Sequence, residues 1–252
     1  MGANLIRFDI EAGRGKPENI VHKENDCPFC HPEGLTDIIA TEEGGIILLR
    51  NKYNVLTDAE QFVLIETERC GTDMPDYTQK HMRRVIRFGV SHWDRMEAEP
   101  RFRTAIFFKS HGRYSGGTMR HAHMQLVGFY DIDPAFFPGE GDFVGHPILE
   151  ERGVLMNSAT RPRVGFGEFN IVAVPDALDL IADLIQKAVA YICDNFPRSE
   201  DSYNIFFYRL GERIGIKLMP RFPTSPLLIG YDMRILPSNS EEIARDFCER
   251  YL

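Results

Sequence analysis

The stretch Thr118-Met119-Arg120-His121-Ala122-His123-Met124-Gln125-Leu126-Val127 decides how this chain reads. In an extended strand alternate side chains share a face, so His121, His123 and Gln125 project together. Three hydrogen-bonding groups on one face of an otherwise apolar strand are costly to bury without partners. For an isolated pair of histidines, solvent exposure or a satisfied place in the core is the plainer reading. Gln125 in register with both, directly after a small-residue turn, shifts the weight toward chemistry. That turn is Ser115-Gly116-Gly117-Thr118. Small residues let backbone N–H groups approach phosphate oxygens closely, and Thr118 adds a hydroxyl donor. Gly116-Gly117 alone would be an ordinary hairpin turn; its place just before the histidines makes it informative.

Working outward, Arg103 to Ser110 reads as a strand, and Asp73 to about Glu97 as a helix capped by Asp73 or Asp76, with Tyr77, Val85, Trp93 and Met96 on one stripe. Upstream lie strand patterns at Ile46-Ile47-Leu48-Leu49, leading into Arg50-Asn51-Lys52-Tyr53, and at Phe62 to Glu66. Residues 1–24 are rich in glycine and charge with little periodicity, and read as a poorly ordered or surface arm.

Downstream the same order recurs in weaker form. Gly167 to Val174 reads as a strand, and Asp176 to Asn195 as an amphipathic helix. Tyr203 to Arg209 and Ile214 to Met219 form a hairpin around Leu210-Gly211-Glu212-Arg213. A last helix, Ser240 to Leu252, is capped by Ser240, with acidic residues in its first turn. The repeated strand–helix–strand–strand order predicts an internal duplication: an arm over 1–24, a catalytic unit over 25–150 and a second unit over 151–252. The second unit has no His-x-His. Its nearest equivalent is Lys217-Leu218-Met219, so one active site per chain is expected. Arg221 reads as a surface arginine, and Gly139-Glu140-Gly141-Asp142 as a solvated connector.

The chain has 252 residues, 43% of them hydrophobic and 26% charged, which is ordinary for a globular protein. Its net charge of −8 argues against duplex nucleic acid, whose binding relies on a basic face. A small phosphorylated ligand needs only a few local cations and amides. No apolar run has membrane-spanning length and Met1 to Ile10 lacks a signal-peptide pattern, so a cytoplasmic protein without membrane contact is expected. The five cysteines, Cys27, Cys30, Cys70, Cys193 and Cys248, are an odd number without an export signal, which favours reduced thiols or a metal over disulfides. Cys27-Pro28-Phe29-Cys30 places two thiols within reach of one metal ion, while a closed zinc site needs four ligands. A redox pair or two unrelated thiols remain alternatives, although His31-Pro32-Glu33-Gly34 does not provide the helix that a thioredoxin-like motif would open.

These segments together resemble the galactose-1-phosphate uridylyltransferase branch of the histidine-triad superfamily, with its dinucleotide-phosphorylase relatives. That family pairs an early Cys-x-x-Cys with an Asn-Lys/Arg-Tyr segment and a later His-x-His-x-Gln strand. Here these are Cys27 and Cys30, then Asn51-Lys52-Tyr53, then His121, His123 and Gln125. The likeness is close over about 25–130. Over 165–230 it extends only to element order and the run Ile216-Lys217-Leu218-Met219-Pro220-Arg221-Phe222.

The resemblance implies an α+β fold of antiparallel sheets with helices, two tandem histidine-triad-like units in one chain, the second degenerate. It implies His123 as nucleophile, Gln125 as the residue that separates transferases and phosphorylases from hydrolases, and His121 as a ligand of Zn2+ shared with Cys27 and Cys30. Where the family's fourth ligand is usually a histidine, Cys70 stands here, and would give a Cys3His site. Asn51, Lys52, Ser110, Gly116, Gly117 and Thr118 match or flank its nucleotide-binding positions; for Lys52 a solvated side chain is an equal reading, and the surroundings of Ser110 depart from the usual pattern.

The expected function is a uridylyl- or adenylyltransferase or phosphorylase that acts on a nucleoside diphosphate sugar or a dinucleotide through a nucleotidyl-histidine intermediate. A nucleotide-binding or sensing protein with little turnover, and a nucleotidyl hydrolase, are the alternatives. A homodimer and a pseudo-dimeric monomer are both compatible with the duplication.

Overall fold

The structure is a computed structural model that describes residues 5–252. The chain forms two compact units, Met1–Lys109 with Gly117–Phe137, and Ser110–Gly116 with Pro138–Leu252. The first contains α1 (Ile10–Arg14), β1 (Ile38–Glu42), β2 (Ile46–Arg50), β3 (Ala59–Ile65), α2 (Gln79–Glu97), β4 (Thr104–His111, its last two residues counted with the second unit) and β5 (His123–Phe129). The second contains β6 (Gly145–Glu151), β7 (Val154–Ala159), β8 (Phe169–Ala173), α3 (Leu178–Asn195), β9 (Tyr203–Leu210), β10 (Arg213–Pro220), α4 (Pro226–Tyr231) and α5 (Ser240–Tyr251).

Every strand pairing within the units is antiparallel. In the first unit the strands lie in the order β1-β2-β3-β5-β4, and in the second β6-β7-β8-β10-β9. Each unit is thus three strands in sequence, a helix, and a closing pair whose later strand sits inside the earlier one. This is the duplication in topological form, and the fold is α+β.

In the first unit β5 lies between β3 and β4, so neither of its edges is open. Leu126 pairs with Phe62 and Phe107, and Met124 with Leu64 and Lys109. These residues share the sheet face covered by α2, because Gly89 of α2 lies against Phe107. A Cβ on Gly89 would stand 2.4 Å from the Phe107 ring, so glycine permits this close approach. The apolar stripe of α2 buries Met82, Val85, Ile86, Val90, Trp93 and Met96. Full burial of each is worth about 1.5–3 kcal/mol, and Trp93 also donates Nε1–H to the Ala105 carbonyl at 3.0 Å. Gln125 pairs with Val63 and Phe108, and His123 with Ile65, so both histidine-strand side chains occupy the opposite face.

The structure departs from the sequence reading in several places. α2 starts later than expected and is capped by Thr78, whose hydroxyl accepts from the His81 amide at 3.3 Å; Asp73 instead caps the short 3-10 turn Met74–Asp76. α5 has Asn239 at its cap position, without a side-chain cap bond, and the Ser240 hydroxyl turns to His146 at 3.2 Å. Of the expected arm, residues 1–4 lie outside the described residues. The rest is packed on the first unit: Arg7 pairs with Asp58, the Asp9 amide donates to the Val55 carbonyl at 2.8 Å, and Asp9 caps α1. The boundary expected at 150/151 falls at the end of β6, whose pairing with β7 keeps it in the second unit; the first unit ends at Phe137. Among the described residues no helix is long and apolar enough to cross a membrane.

Candidate active site

Two short turns and one strand end build the site in the first unit. Cys27 precedes a 3-10 turn, Pro28–Cys30, in which proline fixes the first position and the Cys30 amide donates to the Cys27 carbonyl at 3.0 Å. The turn brings both thiols to His121: Nδ1 lies 3.7 Å from Sγ of Cys27 and 3.6 Å from Sγ of Cys30. Cys70 arrives from the loop after β3, and one ligand atom from each of Cys27, Cys30, Cys70 and His121 lies within 4.8 Å of every other.

This geometry fits a tetrahedral ion. Zinc–sulfur bonds of about 2.3 Å and zinc–nitrogen bonds of about 2.0–2.1 Å put a ligating S and N about 3.6 Å apart. The opposite ring nitrogen of His121, Nε2, is 2.8 Å from the Thr67 carbonyl oxygen, which can only accept. The proton therefore sits on Nε2 and leaves the Nδ1 lone pair for a metal. Partial burial, followed by hydrogen bonding with Cys70 and Cys27, pushes the Cys30 thiol up to about 12. Three crowded thiols lose their protons readily only when a cation stands between them.

His123 follows two residues later on the same strand and is buried. Its Nδ1 lies 2.8 Å from the His121 carbonyl oxygen. Nδ1–H must again be the donor, so the ring lone pair is on Nε2. Phe29, the third residue of the cysteine turn, stands edge-on to both imidazoles, with centroids 5.9 Å from His121 and 5.6 Å from His123. One aromatic ring thus links the metal-ligand turn to the second histidine. Gln125 is half-buried on the same face.

The other expected residues are distributed as follows. The Asn51 side chain accepts from the Tyr53 amide at 2.9 Å, and the Asn51 main-chain N–H donates to the Gln61 carbonyl at 2.8 Å. Ile47 and His123 flank Ile65 in the sheet, so Asn51, just past the end of β2, is four residues on from Ile47, roughly 13 Å at strand rise. Lys52 lies with Nζ 5.9 Å above the Tyr53 ring. Thr118 offers its carbonyl to the Asn19 amide at 2.9 Å. Gly116, at φ +86, adopts the left-handed conformation that favours glycine, with open space where a side chain would stand. Ser110 and Gly116 fall in the second unit's contact group. There the buried Ser110 hydroxyl accepts from Asn204 Nδ2 at 2.9 Å, and Asn204 also donates to the Ser115 carbonyl at 3.2 Å. Arg221 is half-buried and hydrogen-bonds Asn204, so it is not the surface arginine expected.

Comparison with known proteins places this geometry. Residues 8–132 match the N-terminal domain, and residues 139–252 the C-terminal domain, of the domain of unknown function DUF4931. The chain belongs to the DUF4931 family. A crystal structure of a DUF4931 family protein from Bacillus cereus is 38% identical, with a TM-score of 0.76, over 84% of this chain and 98% of that one. The DUF4931 chain also shares its fold with an ADP-glucose phosphorylase from Arabidopsis thaliana, solved with bound ADP-glucose (14% identity, TM-score 0.74, 98% and 99% of the two chains). A uridylyltransferase is similar again (13%, 0.71, 97% of each). At these identities the last two establish the fold alone, a large antiparallel α+β architecture shared with both proteins. Among curated proteins none matches.

Some residues that shape the DUF4931 site have no signature in the sequence. Thr67 acts through its main-chain carbonyl, which every residue carries. Glu66, Lys109 and Asp73 form a buried ion cluster on the α2 face of the sheet: Lys109 Nζ bonds Glu66 and lies 2.9 Å from Asp73. Tyr77 OH donates to Glu66 at 3.1 Å. The cluster anchors both ends of the loop that carries Thr67 and Cys70.

Proposed function

We propose that this DUF4931 chain is a nucleotidyltransferase or nucleotide phosphorylase that works through a nucleotidyl-histidine on His123. One observation carries the reading: His123 donates Nδ1–H to the His121 carbonyl, which puts its ring lone pair on Nε2, two residues after a histidine that joins three cysteines in a metal-ligand cluster. The structural neighbours, uridylyltransferase and ADP-glucose phosphorylase, support this class of chemistry for the fold.

In the first step the Nε2 lone pair attacks the α-phosphorus. A P–N bond forms as the bond to the bridging oxygen breaks, and the leaving sugar phosphate or nucleoside phosphate departs with that electron pair. In the second, an acceptor phosphate oxygen attacks the same phosphorus and His123 leaves with the P–N pair. The His121 carbonyl stabilises the positive charge on the substituted imidazole through Nδ1–H. Gln125 donates its amide to the phosphoryl oxygens, and the Gly116-Gly117 amides and the Thr118 hydroxyl do the same from the turn. Asn51 and Lys52, set well away from His123 along the sheet, serve the base-and-ribose end of an extended nucleotide, and Ser110 is a further nucleotide contact. Cys27, Cys30, Cys70 and His121 would hold Zn2+, which would supply rigidity to the turn and strand end.

The test uses α-labelled UDP-glucose, ADP-glucose, ATP and diadenosine polyphosphate, with His123→Asn as control. Acid-labile, base-stable label on the wild type and none on the variant establishes the nucleophile, and the donor that labels best names the base. Tight nucleotide binding without label on either protein overturns turnover in favour of a binding protein. Label turnover that needs no phosphate acceptor places the chain with the hydrolases.

A further inference from the structure

β10 ends at Pro220, but its pairing with β9 continues one step further: the Arg221 amide donates to the Ser202 carbonyl at 2.7 Å. Alternation puts the Arg221 side chain on the face of Met219, and Met219 pairs with Asn204, so Arg221 and Asn204 are diagonal neighbours. The next residue, Phe222, packs edge-on against Phe166 and Phe196, with centroids 5.1 and 6.5 Å apart, and holds the main chain at Arg221 in place. All of these residues belong to the second unit, as do Ser110 and Ser115.

The orientation of the Asn204 amide is fixed. Nδ2 donates to the Ser115 carbonyl at 3.2 Å and to the Ser110 hydroxyl at 2.9 Å. A carbonyl can only accept, so Oδ1 is left for Arg221 and takes Nη1–H. The guanidinium is thereby held at one nitrogen only. Among the described residues Nε is buried without a hydrogen-bond partner; Nη2 has none either, though it is not shut off from solvent. Nε–H and Nη2–H point the same way and form the side-on edge by which arginine takes two oxygens of one carboxylate or phosphate. Nη1 is not part of that edge, so Asn204 fixes the guanidinium plane and leaves the edge open.

The charge is unmatched as well. Exposed arginines have carboxylates, Arg213 with Glu140 at 2.6 Å and Arg103 with Asp133 at 2.9 Å, where solvent makes such pairs worth little. Arg221 is half-buried and has no ion pair among the described residues. Burial pulls its guanidinium below the ordinary value, and no carboxylate offsets this. A cation taken partly out of water without a counter-charge is costly, and an anion on the open edge removes that cost.

We propose that Arg221 is an oxyanion-binding residue of the second unit, its Nε–H and Nη2–H donating side-on to two oxygens of a phosphate group. The edge itself suits a carboxylate equally. The choice of phosphate rests on the reading of this chain as a nucleotidyl-transfer enzyme, whose acceptors are inorganic phosphate and sugar phosphates. Asn204 is the positioning residue.

Inorganic phosphate, glucose 1-phosphate and succinate are titrated by calorimetry, at constant ionic strength, into the wild type and Arg221→Gln, with unfolding midpoints as controls. At least one of the two phosphates binds the wild type and weakens by about tenfold or more in the variant, and the tighter of the two names the source of the group. Undiminished phosphate binding in Arg221→Gln, no phosphate binding by the wild type, or tighter binding of succinate than of either phosphate overturns the proposal. If Arg221→Gln does not fold, Arg221→Lys carries the comparison: it keeps the charge, lacks the two-pronged edge and loses about fivefold. Nitrogen–proton spectra give a direct second readout. The Arg221 Nε–H signal, identified by its absence from Arg221→Lys, moves on adding phosphate and stays in place with chloride of equal ionic strength; a signal that phosphate leaves in place overturns the side-on contact. Label on His123 together with phosphate affinity unchanged by Arg221→Gln overturns this site alone. Phosphate binding that depends on Arg221, without label on His123, overturns the nucleotidyl-transfer reading and leaves the site standing.

Discussion

The Nε2 of His121 and the carbonyl oxygen of Thr67 lie 2.8 Å apart. Because the carbonyl can only accept, this one contact decides which nitrogen of His121 faces the three cysteines, and it does so before any metal arrives. The cluster is preorganised from the side of the histidine, as outer-shell hydrogen bonds to ligating imidazoles commonly are.

One tetrahedral ion per chain is therefore the expected outcome. Elemental analysis of the isolated protein should give one equivalent of zinc, and its removal by a chelator should lower the unfolding midpoint, because binding to the folded form alone is stabilising. Cys70→Ser weakens retention by at least about tenfold, whereas Cys70→His restores a four-ligand set and keeps the metal. Equal retention by Cys70→Ser and wild type would remove Cys70 from the ligand set.

The tautomer of His123 is the second expectation. With Nδ1 donating to the His121 carbonyl, long-range nitrogen–proton spectra of ring-labelled protein at neutral pH show Nδ1 protonated and Nε2 bare. The opposite tautomer would withdraw the lone pair that the proposed attack needs.

Two buried lysines, one in each unit, are expected to differ in weight. Burial works to lower the pKa of Lys109, but the carboxylates of Asp73 and Glu66 outweigh it and leave the ammonium above its ordinary value. Lys217 has Glu168 at 2.6 Å and the neutral Asn170 oxygen at 2.7 Å, and there burial prevails and lowers it. Lys109→Met removes the cation from between two buried carboxylates and costs about 3–5 kcal/mol in denaturant unfolding. Lys217→Met strands one, which still accepts from the Arg163 amide at 2.7 Å, and costs about 1–3 kcal/mol. The order of the two losses is the outcome to check.

His92, buried on α2 against Phe88 with ring centroids 4.5 Å apart, is held below its ordinary value of 6.5 by burial and then by Arg95. The unfolded chain binds a proton there that the folded one refuses. Stability contributed by neutral His92 is present above pH 6.5 and is lost as the pH falls through the lowered folded value. Unfolding free energy measured between pH 7 and pH 5 should decline, and less steeply in His92→Gln. An unchanged slope in the variant would assign the acid sensitivity to other groups.

The histidine strand, the cysteine turn, both long helices and the β9–β10 hairpin were legible because each carries its own period or spacing. β6 and β7 were not. β6 runs Gly145-His146-Pro147-Ile148-Leu149-Glu150-Glu151, an edge strand with no buried residue and a register shift between Pro147 and Leu149, so it shows no clean alternation. The turn to β7 uses Arg152 and Gly153, both at positive φ (49° and 75°), without the Asn-Gly or Asp-Gly pair that announces such turns. At the site, side chains could be nominated by type and spacing, as Cys70 and His121 were. Thr67 could not, since its role belongs to the backbone, nor could Arg221, whose burial depends on which segments the fold brings against it.

The matching strand orders β1-β2-β3-β5-β4 and β6-β7-β8-β10-β9 have a consequence for how such a protein changes over generations. Two identical subunits share one gene, so every substitution appears twice and each must suit both copies. Here β5 and β10 are encoded separately. His121 and His123, at the start of β5, can be held fixed while β10 drifts, and its buried Lys217 with Glu168 and Asn170 is the mark of that independence. A new specificity can be tried in one half without risking the chemistry of the other.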